Sequence, residues 1–255
     1  MNTSTGRYTE RIYEKVVVSG FECEQYQYKD RPVLRNYKRR KREKNENDKK
    51  EEKGQTEKAE SSVRRTRREI RRTVNSNPQL TKFLTLTSKI TDGKKSNHCF
   101  NLFTQRMKDR FPEFQYFAVL EFQKDVDFFG NVKPEGGAAH YHLLCNLRYV
   151  RSKEIEKIWG NGFIKIKRVR HVSNLGRYLS KYLQKDMFDK RMLGKKKKFF
   201  CSQDLERPVE IVNDDARVFM QENAGNMENG WETTFTSNYL GEIFYAIFRL
   251  NASSA

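Results

Sequence analysis

Two apolar stretches decide how the middle of this chain folds: residues 114–123 read FQYFAVLEFQ, and residues 138–147 read AAHYHLLCNL. Each has the length and the aromatic and aliphatic content of a strand that is buried in a sheet. The segment between them contains Gly130-Asn131 and Gly136-Gly137, which are turn signals. We therefore predict that the two stretches are neighbouring antiparallel strands.

Further strands and helices flank this hairpin. Residues 82–88 (KFLTLTS) and 162–170 (GFIKIKRVR) alternate between apolar and polar side chains, as strands do. Apolar residues at helical spacing predict helices over 98–112, 152–160 and 174–188. This order of elements predicts an α+β fold in which helices pack on one side of a central antiparallel sheet.

The rest of the chain is predicted to fall into segments of different character. Residues 8–35 contain two short alternating stretches around Ser19-Gly20, which predict a hairpin, and residues 223–231 (NAGNMENGW) predict a loop. The predicted regions are an N-terminal β-hairpin segment (1–36), a charged flexible linker (37–60), a basic helix (61–79), the sheet-based core (80–194) and a C-terminal extension packed on or beside the core (195–255).

Charge indicates the kind of partner. The 255 residues include 51 Lys and Arg against 33 Asp and Glu, which gives a formal net charge of +18. Such a chain is expected to bind a polyanion, either DNA or RNA. The four cysteines are widely spaced, the first residues lack the apolar segment of a signal peptide, and no apolar run reaches transmembrane length. We therefore expect a cytoplasmic protein with no membrane partner.

The predicted basic helix has a thin apolar stripe formed by Val63, Ile70 and Val74. Arginines cover the remaining surface with almost no acidic residues between them, which favours contact with phosphates over a solvated surface. These arginines are Arg64, Arg65, Arg67, Arg68, Arg71 and Arg72.

A pair of histidines lies within the strand at 138–147. His140 and His142 are two residues apart, so both imidazoles point to one face, and Tyr141 points to the other. If the two central strands form a hairpin, Glu121 lies beside His140. Two imidazoles and a carboxylate suit Mg²⁺ or Mn²⁺ in phosphate chemistry. The alternatives are a pair of hydrogen-bonded histidines and a glutamate exposed to water.

The helix at 174–188 carries two tyrosines on one face, Tyr178 and Tyr182, with Lys181 and Lys185 in a row beside them. A phenol ionises near pH ~10, but neighbouring ammonium groups and a metal-bound phosphate make it a competent nucleophile. The alternative is that the tyrosines are core aromatics and the lysines are solvated.

Together these segments resemble the HUH endonuclease superfamily, and specifically rolling-circle replication initiator (Rep) proteins of plasmids, phages and mobile elements. Residues 83–88 (FLTLTS), 137–144 (GAAHYHLL) and 176–186 (GRYLSKYLQKD) are similar to that family's three motifs in order. The doubled Tyr-x-x-x-Tyr is similar to gene A-type initiators of small phages. The resemblance covers about residues 80–190 and implies an HUH/Rep nuclease fold of the RRM or ferredoxin-like type.

The resemblance also implies an activity. A protein of this family nicks and rejoins single-stranded DNA at a replication origin, including one folded as a hairpin, and leaves a 5′-phosphotyrosine and a free 3′-hydroxyl. By resemblance, Tyr178 or Tyr182 attacks, Lys181 and Lys185 hold the phosphate, and His140, His142 and Glu121 bind Mg²⁺ or Mn²⁺. The residues expected to contact the DNA backbone, besides the arginines of the basic helix, are Lys165, Lys167, Arg168, Arg170 and Lys195 to Lys198.

Other interpretations stay open at this level. No GxxxxGK[ST] motif occurs, so a host helicase and a polymerase are expected as partners. A relaxase or a transposase would use the same chemistry for transfer or insertion. A non-enzymatic nucleic-acid-binding protein would instead present sheet aromatics such as Phe83, Phe117 and Phe122 to bases.

Overall fold

The computed structural model describes part of the chain and divides it into two compact units. We call Glu51–Glu206 the core unit and Met1–Lys50 together with Arg207–Ala255 the terminal unit. The described residues are 10–35, 52–126, 129–169, 175–176, 178–179 and 199–251.

The strands and helices of the described residues follow in chain order. The strands are β1 Arg11–Ile12, β2 Glu14–Ser19, β3 Glu22–Tyr28, β4 Val33–Leu34, β5 Lys82–Thr87, β6 Tyr116–Phe122, β7 Ala139–Cys145, β8 Ile164–Arg168, β9 Phe199–Cys201, β10 Val209–Val212, β11 Met227–Ser237 and β12 Gly241–Leu250. The helices are α1 Glu52–Asn75, α2 Gly93–Arg110, α3 Ser152–Trp159 and α4 Asn213–Asn223, with a short 3₁₀ turn at Ala224–Asn226.

An antiparallel sheet with the spatial order β8-β5-β7-β6-β9 forms the middle of the core unit. The α+β prediction is confirmed, and β6 and β7 are the predicted hairpin neighbours. The first four strands in this order, with α2 and α3 between them in sequence, have the ferredoxin-like arrangement. β9 adds a fifth strand beside β6.

One face of this sheet, the core face, holds the main apolar core. Leu84, Leu120, Tyr141 and Leu143 lie on it and pack with buried residues of α2 and α3. α2 begins where the Asp92 side chain accepts a hydrogen bond from Lys95 N at 2.8 Å, and it ends just before Pro112. The predicted helices over 98–112 and 152–160 are thus present, although α2 starts five residues earlier than predicted.

The opposite face, the site face, carries Phe83, His140 and His142, and it is also covered by a helix. Ile70 and Val74 of α1 pack there with Phe83 and Leu144. The prediction that helices lie on one side only is therefore wrong, since the thin apolar stripe of α1 is enough to bury it against the sheet. α1 also begins at Glu52, within the segment predicted to be a flexible linker.

The terminal unit is built from both ends of the chain. Its sheet has the order β10-β2-β3-β12-β11, in which the predicted hairpin β2–β3 lies between strands from the C-terminal segment. The prediction of a C-terminal extension of the core is corrected here: β9 joins the core sheet, whereas 207–251 forms this second sheet. Residues 227–231, predicted as loop, begin strand β11.

Each face of the terminal sheet has its own apolar cluster. Ala216 of α4 packs against Val16 and Cys23, while Ile12 and Tyr28 belong to the cluster on the other face. Among the described helices of both units, none combines the length and the apolar character that a membrane crossing requires.

Candidate functional site

The two histidines of β7 point to the site face, as their spacing predicts. Tyr141 between them points to the core face, where it is fully buried and stacks on Phe100 with ring centroids 4.2 Å apart. The Tyr141 hydroxyl donates to Asn97 Oδ1 at 2.8 Å. Tyr141 is therefore a core residue, and only the two imidazoles are available to a site.

Glu121 is held directly against this pair. In the β6–β7 register Glu121 lies opposite His140. Its Oε2 atom lies 2.6 Å from Nε2 of His142, whose Nδ1 atom is 3.3 Å from the Thr85 hydroxyl. Only 8% of the His142 side chain and 12% of the Glu121 side chain are exposed. The predicted neighbourhood of the carboxylate and the histidines is present, and Thr85 on β5 completes it.

His140 has an electrostatic setting that favours its neutral form. Burial lowers the pKa of its imidazole below the usual value, and His142 lowers it further, while Glu121 has a smaller opposing effect. The His140 and His142 ring centroids are 6.3 Å apart. A neutral imidazole has the free lone pair that a metal ligand needs.

The chemistry of this donor set fits a divalent ion, since two imidazoles and one carboxylate emerge at the same end of adjacent strands. As the side chains stand, however, the described residues contain no group of three His, Cys, Asp or Glu that converges to hold a metal. Glu121 is hydrogen-bonded to His142 instead. The three residues are brought together, but their role as metal ligands stays a prediction.

Tyr178 reaches the same face of the sheet. Its ring meets Phe83 edge-on at a centroid distance of 5.2 Å, and Phe83 in turn lies 5.9 Å from the His142 ring. Phe83 therefore lies between the candidate nucleophile and the candidate ligand. Tyr182, Lys181 and Lys185, predicted to act with Tyr178, lie outside the described residues.

The helical segment that carries Tyr178 is anchored on α1. Leu179 is fully buried in a cluster with Ile70 and Val74. Gly176 approaches α1 so closely that a Cβ atom there would be 2.6 Å from the Arg71 Cα atom. The sequence reasoning assigned α1 only to DNA, and it missed this packing role; the glycine two residues before Tyr178 was the available signal.

The predicted DNA-binding residues occupy different environments. Arg64, Arg65 and Arg68 of α1 are exposed, whereas Arg67, Arg71 and Arg72 are half-buried. On β8 the exposed Lys165 and Lys167 share the site face, whereas Arg168 points to the opposite face. Arg170 and Lys195 to Lys198 lie outside the described residues.

Strand order and site together define a class: an α+β domain of ferredoxin-like order that carries two histidines, a glutamate and a tyrosine on one face of its sheet. Within the chain, residues 81–187 match the family model of the replication-associated protein ORF2. The match begins just before β5 and includes all the predicted metal-binding and catalytic residues. It supports a replication initiator of the Rep type.

The match spans less than half of the chain and leaves the terminal unit outside it. No curated protein and no solved structure matches this chain.

Proposed function

We propose that the core unit nicks and rejoins single-stranded DNA at a replication origin, through a covalent phosphotyrosine, to start rolling-circle replication. One observation carries this proposal: Glu121, His142 and Tyr178 lie on one face of the sheet, connected through direct contacts with each other or with Phe83. The match of residues 81–187 to a replication-associated family supports the same conclusion.

In this mechanism Tyr178 or Tyr182 attacks the scissile phosphate, becomes joined to the 5′ side, and leaves a 3′-hydroxyl for a polymerase. His140, His142 and Glu121 would hold Mg²⁺ or Mn²⁺, which when bound supplies Lewis-acid polarisation of the phosphate. Thr85 orients the His142 ring through Nδ1. The bond energy kept in the phosphotyrosine allows the same site to rejoin the strand without ATP.

The proposal requires a tyrosine adduct. Wild-type protein incubated with random single-stranded oligonucleotides and Mn²⁺ should give a covalent complex that survives a denaturing gel. Tyr178→Phe combined with Tyr182→Phe should lose that adduct while retaining DNA binding, since only the nucleophilic oxygens are removed. Mass spectrometry of the adduct identifies the attacking residue.

Two further results separate nicking from simple binding. EDTA should stop adduct formation, and His140→Ala combined with His142→Ala should do the same in the presence of Mn²⁺. Adducts that persist in the double tyrosine variant would refute the nucleophile, and nicking that is unchanged in the histidine variant would refute the metal site. Binding without any adduct in the wild type would favour the non-enzymatic alternative.

A further inference from the structure

Lys167 lies on the site face beside Tyr178, although its sequence context predicts only a contact with the DNA backbone. In the β5–β8 register Lys167 is opposite Phe83. Strand alternation sends both side chains to the same face, so the lysine and the ring that touches Tyr178 are direct neighbours.

Three contacts fix the position of the Lys167 ammonium. Its Nζ atom lies 3.4 Å from the Tyr178 hydroxyl. It also lies 5.5 Å from the centroid of the Phe83 ring and 5.6 Å from that of the Tyr178 ring. Cation–π attraction to two ring faces holds the charge next to the phenol oxygen.

An ammonium group at this place changes the chemistry of the phenol. A positive charge within ~4–6 Å favours the ionised form of an acid, and its hydrogen bond strengthens when the acceptor becomes charged. The effect is directed at the phenol oxygen, which is the atom that the proposed function requires to attack.

We infer that Lys167 is a catalytic residue that stabilises the phenolate of Tyr178; this rests on the proposed nicking function. The phenol releases its proton to solvent, and the phenolate oxygen forms a bond to phosphorus. The bond from phosphorus to the 3′ oxygen breaks, and that oxygen takes a proton from water. Lys167 remains an ammonium ion throughout and, when the strand is rejoined, stabilises the phenolate as it leaves.

Lys167→Met tests the charge because the methionine side chain keeps an unbranched apolar stem for packing on Phe83 and Tyr178. The single-turnover rate of adduct formation, measured at saturating oligonucleotide with Mn²⁺, should fall about 100-fold, as when one donor to a developing oxyanion is removed. The affinity for DNA should fall less than about fivefold, which is what a single backbone contact contributes.

Two companion variants make the result specific. Lys167→Arg keeps the positive charge and should restore most of the rate. Lys157→Met removes an equally exposed lysine from α3, on the other side of the sheet, and should react like the wild type.

The possible outcomes are distinct. A wild-type rate in Lys167→Met, or an equal loss in Lys167→Arg, would overturn the role of Lys167 while leaving the nicking function in place. A loss of rate that disappears at saturating DNA would reduce Lys167 to a backbone contact. Failure of the wild type to form any adduct would instead reject the proposed function, and the inference with it.

Discussion

The two units of this protein differ sharply in charge. The core unit has 34 Lys and Arg against 18 Asp and Glu, a net charge of +16, whereas the terminal unit has 17 against 15, a net charge of +2. The described residues of the terminal unit are even acidic, with 8 basic and 12 acidic residues. The affinity for a polyanion is therefore expected to reside in the core unit.

The same contrast appears in how each unit treats a buried carboxylate. In the terminal unit, Glu24 is fully buried and accepts hydrogen bonds from the hydroxyls of Tyr26 and Tyr245, both at 2.8 Å. In the core unit, Glu121 contacts His142. A neutral phenol gives a carboxylate a fixed donor, whereas an imidazole exchanges protons and binds metals near neutral pH. The first arrangement is structural, and the second suits chemistry.

The largest expected effect separates the two units by their tryptophans, since the chain contains only two. Trp159 of the core unit is fully buried and its Nε1 donates to Thr87 O at 2.6 Å. Trp159→Ala should lower the free energy of unfolding by about 3–5 kcal/mol, because it leaves a large cavity and an unpaired carbonyl beside β5. Urea denaturation followed by circular dichroism measures this change.

Trp231→Ala in the terminal unit is the matched control. Its side chain is 54% exposed and meets Tyr245 edge-on. The expected cost is about 1 kcal/mol. Equal costs for the two tryptophans would contradict the burial of Trp159 in the core.

The next effect tests where DNA binds. Replacing the three exposed arginines of α1 with Gln, at Arg64, Arg65 and Arg68, should weaken binding to single-stranded DNA about 50-fold at physiological salt. The slope of log affinity against log salt should fall by about 2, because three phosphate contacts release fewer counterions. Fluorescence anisotropy across a salt series measures both quantities.

Three basic residues of the terminal unit, Arg11, Arg207 and Arg217, provide the comparison. Their replacement with Gln should leave the salt slope unchanged if affinity belongs to the core unit. A similar fall in both triple variants would show that DNA also runs over the terminal unit.

The sequence predicts the local geometry of the site well and the long-range assembly poorly. Alternation in β6 and β7 was enough to place Glu121 opposite His140, because a hairpin register follows from the strands and the turn between them. In contrast, β2 pairs with β10, so that Val18 lies opposite Val209. No local pattern encodes a pairing between residues that are so far apart in sequence.

Helix α1 shows why charge misled the interpretation of function. Its many arginines predicted a helix bound to phosphates, but Ile70 and Val74 also bury it against the site face. A thin apolar stripe shows that a helix packs without showing on which face of which sheet. The contact between Arg71 and Gly176 could therefore be found only in the structure.

A smaller effect tests that contact. Gly176→Ala would place a Cβ atom 2.6 Å from the Arg71 Cα atom, so the two backbones must separate. We expect a loss of about 1–3 kcal/mol of stability from overpacking, together with slower adduct formation because Tyr178 shifts. Thermal unfolding and the denaturing-gel assay measure the two effects.

Gly225→Ala in the terminal unit is the matched substitution, since nothing lies within 4 Å of a Cβ atom there. It should change neither quantity. An unaltered adduct rate in Gly176→Ala would mean that α1 does not position Tyr178.

The smallest effect concerns the cysteines, one of which lies in the terminal unit and three in the core unit. Burial raises the pKa of Cys23 and of Cys145 to about 12, with Glu24 adding to the effect at Cys23. Since only the thiolate reacts, about 1 in 10⁴ of these thiols is reactive at pH 8, and each unit of pH increases that fraction tenfold. Cys99 and Cys201 are half-buried. A thiol reagent at pH 8 should therefore label Cys99 and Cys201 first, both in the core unit, as peptide mass spectrometry would show. Rapid labelling of Cys23 would mean that the terminal sheet opens readily, and the contrast between a packed core unit and an equally packed terminal unit would have to be redrawn.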